Sequence, residues 1–338
     1  LLNRLAFALR YRDLNMLISS QLRSDSRILQ IRNIEDMLAT VAPFLRADAD
    51  PYPVFRDGRI TWVMDLYTIS SRYPYSDPVT GADSLRVAAD SGLPTAGFNY
   101  IRNSVKATID AYDGTIRLYV IDQDDPIIGA WQRTHPQLFA DEPLPAELAD
   151  NLRYPQDMFK IQTEKYLDYH VEDTGDFFRR SDAWSIPRDP SNVPREANEL
   201  LNGDPSTAES SQLDRYLPNY LLTNLPGEDD LSYVLIQPFT PLNKLNMSSF
   251  LVADSTPGRY GRLVDFRLPS GELVEGTGQV GDRINQDPDI SQQLTLWDQE
   301  GSNVLFGDML VVPVEDSILY VMPVYLAADE GGLPEFRR

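Results

Sequence analysis

Between Ser104 and Asp122 the chain reads SVKATIDAYDGTIRLYVID, with apolar and polar residues alternating on either side of Asp113-Gly114. Asp-Gly tolerates the positive φ angles of a two-residue type I′ turn, so the stretch predicts a hairpin centred on it. In that register Tyr112 faces Thr115. Ala111 pairs with Ile116, Ile109 with Leu118 and Ala107 with Val120 on an apolar face, and Asp110 with Arg117 and Thr108 with Tyr119 on the other. The turn fixes this register, and a one-residue slip would scramble both faces.

The same reading continues along the chain. Leu2, Leu5, Leu9 and Met16 make one stripe and predict a helix over Leu1 to Ser19. A second helix starts at Asn33, whose side chain can cap while Glu35 and Asp36 occupy the first turn, and it stops before Pro43. The alternation in DGRITWVMDLYTIS (57–70) predicts a strand, and YPQDMFKIQTEKYLDYH (154–170) a helix with Pro155 in its first turn. Later come five strand-like runs, beginning at Ser232, Ser248, Gly261, Asn303 and Ser317. A single helix, capped by Asp287 and ended by Gly301, separates the third from the fourth. Pro313 and Pro323 cannot donate to a ladder and mark the last hairpin as an edge or as bulged. Strands arriving in hairpins predict an α+β fold with mostly antiparallel sheet. The organisation expected is 1–189 (helical start, hairpin sheet and helix), a Pro/Ser/Asn/Gly-rich linker over 190–214, and a strand-rich 215–338 with one helix at 287–300, in the same compact domain or a second one.

Composition narrows the function classes. The 338 residues include 51 acidic and 30 basic side chains, a net charge of −21, which disfavours nucleic acid and anionic membrane surfaces as partners. With no cysteine there is no disulfide framework, thiol catalysis or sulfur-ligated zinc. No apolar run reaches the ~18 to 20 residues needed to span a bilayer. The opening Leu1-Leu2 lacks both Met and a signal-peptide layout, the expectation for a domain excised from a longer protein.

Candidate chemistry is sparse. GTGQVG (276–281) matches a dinucleotide-type G-x-G-x-x-G, but Asp282 stands where an anion needs bare amides and the flanking strands form hairpins. Asp282, Asn285, Asp287 and Asp289 form an oxygen-rich candidate for Ca²⁺. A helix-loop-helix Ca²⁺ loop counted from Asn285 would need Gly and Glu where Ile290 and Leu296 stand, and helix capping already accounts for Asp287 and Asp289. His135 and His170 read as surface or capping residues. Tyr73, Tyr75, Trp131 and Trp184 are candidates to line a sugar groove, and a paired-carboxylate hydrolase is compatible with so many acids.

Several stretches, among them NRLAFALRYRDLN, NYIRNSVKATIDAYDGTIRLYVID, LRYPQDMFKIQTEKY, LIQPFTPLN and DPDISQQLTLWDQ, are together similar to uncharacterised protein family 0182 of bacterial integral membrane proteins. The resemblance covers nearly the whole chain in order. It implies that transmembrane helices precede a large domain outside the cytoplasm, that this chain is that domain, and that Leu1 to Ser19 lie near the membrane. It brings no catalytic residues to carry over, and no cofactor is expected beyond the Ca²⁺ candidate above. The resulting expectation is a non-catalytic recognition, assembly or capping domain whose partners are its own transmembrane region and a second copy or another envelope protein. An envelope carbohydrate hydrolase and a divalent-cation domain are the alternatives.

Overall fold

The hairpin at Asp113-Gly114 forms, but its loop is longer than two residues. In the computed structural model, which describes residues 2–23, 26, 31–56, 58–84, 86–87, 91–192, 215–269, 271–299, 301–328 and 333–338, Ile109 pairs with Ile116, Ala107 with Leu118 and Val105 with Val120. The register has moved by two residues. A shift of two keeps every side chain on its predicted face, so Ala107, Ile109 and Leu118 are buried as expected. The cross-strand partners differ: Thr108 opposes Arg117, and Asp110 turns to Arg59 through a two-pronged contact of 2.8 and 2.9 Å. Asp110 Oδ1 also accepts from Tyr112 N and Asp113 N, which closes the wider loop around Gly114 at φ +73°. Arg117 pairs instead with Glu142. Replacing Gly114 with alanine is therefore expected to lower the unfolding free energy by about 1 kcal/mol, through its left-handed backbone. Arg117→Ala should stay within about 0.5 kcal/mol, because its ion pair is exposed. Urea unfolding of the two variants checks the ordering.

Two units divide the chain, 1–43 and 44–338. The first contains α1 (Leu2–Tyr11), α2 (Asn15–Ile18) and α3 (Ile34–Val41). The single helix expected over Leu1 to Ser19 is broken at Arg12, whose φ is +53°. The start of α3 is as predicted, with Asn33 Oδ1 accepting from Glu35 N at 2.7 Å and Asp36 N at 3.3 Å.

The second unit holds two five-stranded sheets, each organised around a long strand. In the first, β3 (Arg59–Ser70) pairs along one edge with β1 (Arg46–Ala47) and β2 (Tyr52–Arg56), and along the other with β4 (Tyr100–Asp110), which carries β5 (Ile116–Val120). The strand β2, which holds Pro53, has no counterpart among the predicted elements. In the second, β8 (Leu231–Pro241) pairs with β6 (Trp184–Ser185) and β7 (Asn219–Asn224) on one edge and with β10 (Ser249–Asp254) on the other, followed by β11 (Leu263–Arg267). All these pairings are antiparallel. A short pair joins β9 (Asn246–Met247) to β12 (Val274–Glu275). The last two predicted strand runs each split in two: β13 (Ser302–Phe306) and β14 (Leu310–Val314), then β15 (Ser317–Val321) and β16 (Val324–Ala328), with Pro323 at the second break. β16 pairs with β13 and with β17 (Glu335–Phe336), and β14 pairs with β15.

The remaining helices are α4 (Pro126–Thr134), α5 (Ala146–Ala149), α6 (Gln156–Tyr169), α7 (Thr174–Arg179), α8 (Thr277–Gln286) and α9 (Pro288–Trp297). α6 touches β4 of the first sheet and β6 and β8 of the second. Its first two turns are buried nearly all round, from Asp157 to Ile161 and at Thr163. One core joins Tyr67, Phe98 and Phe159 to Leu235, Phe239, Leu251 and Met309, so side chains from before residue 190 and after residue 214 pack together. Residues 193–214, most of the expected linker, lie outside the described residues. No helix among the described residues is long and apolar enough to cross a membrane.

Candidate functional site

Polar groups accumulate where the sheets and α6 meet. β3 and β4 place Asp65 directly opposite Lys106, and both side chains are buried. The Lys106 ammonium pairs with Asp65 Oδ1, donates to the Arg153 carbonyl at 3.1 Å and lies 5.0 Å from the centre of the Tyr260 ring. Burial pushes Asp65 up and Lys106 down, each opposed by the other's charge. Beside them Asp48 Oδ2 accepts from Tyr67 Oη and from Asp157 N (3.1 Å), while Asp157 Oδ2 accepts from Ala49 N at 3.3 Å. Lys160 donates to Asp157 Oδ1 at 3.2 Å. Burial, then the charges of Asp157 and Asp65, push Asp48 up to about 7. Deeper along α6, Arg86 spends its donors on Glu164 (2.7 Å), Gln237 (2.8 Å), Thr163 (2.8 Å) and the carbonyls of Tyr216 and Lys160, tying the 80s loop, α6 and β8 together. These interior charges serve one another.

A groove of about 430 Å³ opens next to this network, between the loop after β3, α6 and the edge of the second sheet. Val79, Phe98, Ile101, Ile161 and Leu251 give it an apolar floor, and Tyr100, Tyr166 and Tyr169 line it with rings. Asn99 fixes the loop. Its side chain accepts from Tyr73 N (3.1 Å) and donates to the carbonyls of Tyr73 (2.8 Å) and Ser76 (3.2 Å). On the other side Lys165 holds Asp77 (2.5 Å), Asp83 (2.9 Å) and the Pro78 carbonyl (2.9 Å). Tyr73 stacks on Tyr100 at 5.6 Å between ring centres, and Tyr100 Oη is anchored on Asp125 at 2.8 Å. Burial opposes ionisation of Asp125, yet hydroxyls from Ser104, Thr68 and Tyr100 outweigh it and hold its carboxyl below the usual range. Asp265, on the opposite wall, accepts from Tyr166 Oη (3.1 Å), Arg267 (2.9 Å) and Ser249.

The other residues singled out in the sequence are placed as follows. Asp282 accepts from Arg188 at 2.6 Å, and Asn285 lies on α8. Asp287 caps α9, its Oδ1 accepting from Asp289 N and Ile290 N, both at 3.0 Å, and Asp289 sits in the first turn. Asp287 and Asp289 also line a second groove, of about 870 Å³, with Trp297, Met322 and Val324. Among the described residues no group of three or more His, Asp or Glu side chains is placed to hold a metal ion.

GTGQVG is not a loop but the start of α8, so two helices meet at Asp287 where one was expected. Two of its three glycines, Gly276 and Gly281, answer to packing. A Cβ at Gly276 would sit 2.2 Å from the Leu245 carbonyl oxygen, and one at Gly281 2.1 Å from Pro190 Cβ. Gly281→Ala is expected to cost about 1–3 kcal/mol in chemical unfolding, whereas a nucleotide-binding glycine would leave stability near wild type.

His135 and His170 are both C-terminal caps, the second buried between the carbonyls of Tyr166 and Asp182 and stacked on Trp184 at 3.6 Å. Of the four aromatic residues considered for a sugar groove, Trp131 packs on Phe44 at 3.9 Å and Trp184 is in the core, while Tyr73 and Tyr75 stand on the groove's loop. The buried Asp48, Asp65, Lys106 and Arg86 escaped the sequence reading. Lys106 inside an apolar alternation was their one local signal.

The model of Uncharacterised protein family (UPF0182) matches residues 1–297. A UPF0182 protein of Trichodesmium erythraeum (strain IMS101) is 40% identical over 340 residues, covering 99% of this chain and 35% of that protein. One from Moorella thermoacetica (strain ATCC 39073 / JCM 9320) is 43% identical over 336 residues, covering 99% and 33%. One from Methanospirillum hungatei JF-1 is 40% identical over 340 residues, covering 100% and 35%. The chain thus spans about a third of the length of the curated relatives it matches. No solved structure matches it. With the family model matching most of the chain, and relatives at this identity covering almost all of it, the chain belongs to Uncharacterised protein family UPF0182.

Proposed function

We propose that the chain is the extracytoplasmic recognition domain of a longer, membrane-anchored protein, and that the groove beside α6 is where it takes its ligand. The observation that carries the reading is the groove's construction. Asn99 and Lys165 hold its loop wall in place from two sides, so the concavity exists before any ligand arrives. The carboxylates around it, Asp125 and Asp265, are each held by several donors of the same chain, which suits a scaffold better than proton transfer. Placement outside the cytoplasm is supported by the sequence resemblance to integral membrane proteins. The relatives keep about two-thirds of their length beyond the matching region, and that part would supply the membrane anchor and the domain's constant partner.

Since these 338 residues hold no cysteine, a thiol introduced here is the only one in the domain, and labelling is read against the full-length protein without the substitution. Tyr112→Cys, at a position 85% exposed, is expected to react with a membrane-impermeant maleimide on intact cells carrying the full-length protein. Labelling only after lysis would place the domain in the cytoplasm and end this reading.

A further inference from the structure

We infer that the ligand of this groove is an acetamido sugar, bound by ring stacking on the exposed tyrosines with its acetyl group on the aliphatic floor. The inference rests on the reading of the groove as a recognition site and adds the chemical class. Three observations lead to it.

The first is aromatic presentation. Tyr75 is fully exposed and sits at φ +55°, a left-handed conformation that is strained for a ring-bearing residue. Its neighbours are held by Asn99, which keeps the loop in that conformation and turns the ring to solvent. Tyr73, 55% exposed, backs on Tyr100, and Tyr169, 57% exposed, backs on Phe177 at 5.3 Å. Tyr73 and Tyr169, supported behind and open in front, are stacking platforms, and the apolar C–H face of a pyranose is a matching surface.

The second is the hydrogen-bonding capacity left over. Gln162 Oε1 accepts from Tyr154 Oη at 2.8 Å, which fixes the amide's orientation, and its Nε2 donates to none of the described residues. Asp77 uses one carboxylate oxygen on Lys165, and the other accepts from none of the described residues. One directed donor and one directed acceptor, beside a floor of Val79, Ile101 and Leu251, match an acetamido carbonyl, a ring hydroxyl and a methyl group.

The third is charge. Of the charged residues that line the groove, Asp77 and Asp265 outnumber Lys165, on a chain of net charge −21. Fatty-acid carboxylates and phosphorylated ligands are repelled, and a neutral sugar is not.

The test uses the 338-residue chain and three probes in calorimetric titration: tetra-N-acetylchitotetraose, cellotetraose and decanoate. Binding of the first is expected, at least tenfold tighter than of the second. Tyr73→Ala, Tyr169→Ala and Gln162→Leu should each weaken it about fivefold, the loss of one stack or one neutral hydrogen bond. Tyr73 and Tyr169 are more than half exposed, so those two variants should melt like wild type, whereas Gln162→Leu also removes the acceptor of the buried Tyr154 Oη and is read only at temperatures well below its own measured unfolding midpoint. Equal binding of both oligosaccharides, or chitotetraose binding untouched by all three substitutions, overturns the assignment. Decanoate binding with no sugar binding overturns the sugar class but leaves a ligand groove standing. Maleimide labelling confined to lysed cells would refute the extracytoplasmic placement and leave the sugar assignment intact.

Discussion

Replacing Lys106 with methionine is expected to lower the unfolding free energy by about 3–5 kcal/mol, among the largest effects available from one side chain here. The reason is what remains behind. Asp65 stays fully buried between two sheets, with the ammonium that compensated it removed. The Arg153 carbonyl keeps Tyr260 Oη as a donor at 3.1 Å, so the cost concentrates on the carboxylate. Neutralising both partners should therefore recover most of the loss, and Asp65→Leu with Lys106→Met is expected to be clearly more stable than Lys106→Met alone. Urea unfolding of the two singles and the double completes the cycle. A double variant no better than the lysine single would mean that the pair is not the compensating unit described above.

Titration of Asp48 should produce the second large effect. Its carboxyl rises from 3.8 to about 7 on folding, chiefly by burial, with Asp157 on α6 and Asp65 on β3 adding repulsion. The folded state therefore holds a proton that the unfolded chain releases. Stability from this group is fully present below about pH 4, is lost as pH rises toward 7, and is flat above that. At about 1.4 kcal/mol per unit, the loss between pH 5 and pH 8 comes to roughly 3 kcal/mol. Lys160 and Lys106 face the same cluster from α6 and β4, and Tyr67 donates from β3, so the readout must isolate one group. The quantity to measure is the unfolding free energy of wild type minus that of Asp48→Asn across that pH range. A difference that does not fall with pH would sink the assignment.

Both effects come from residues whose partners are distant in sequence, and this separates what a sequence reading can find from what it cannot. Asn33 capping α3 and Asp287 capping α9 were legible because donor and acceptor lie two or three residues apart. The Asp113-Gly114 hairpin was legible in its faces and not in its register. Alternation has a period of two and cannot sense a two-residue shift, and the deciding contact, Arg59 on Asp110, arrives from β3. GTGQVG was set aside as a nucleotide motif, but the helix it starts was not foreseen for a related reason: Gly276 and Gly281 are set by Leu245 and Pro190, which no spacing rule locates. The groove lay half in view. Tyr73 and Tyr75 were candidates for a groove only alongside Trp131 and Trp184, and nothing local distinguished them from that pair, which folds into contact with Phe44 and Phe239.

By itself, then, the sequence determined the α+β class, the antiparallel hairpins, the caps and the family, since these depend on local hydrogen bonds, side-chain periodicity and shared residue patterns. The tertiary structure decided which charges are buried together and which aromatics surround a cavity. Those outcomes depend on β3 meeting β4 and on α6 lying against both sheets, and burial, which turns an ordinary aspartate or lysine into a group that shapes stability, exists only once those elements have packed.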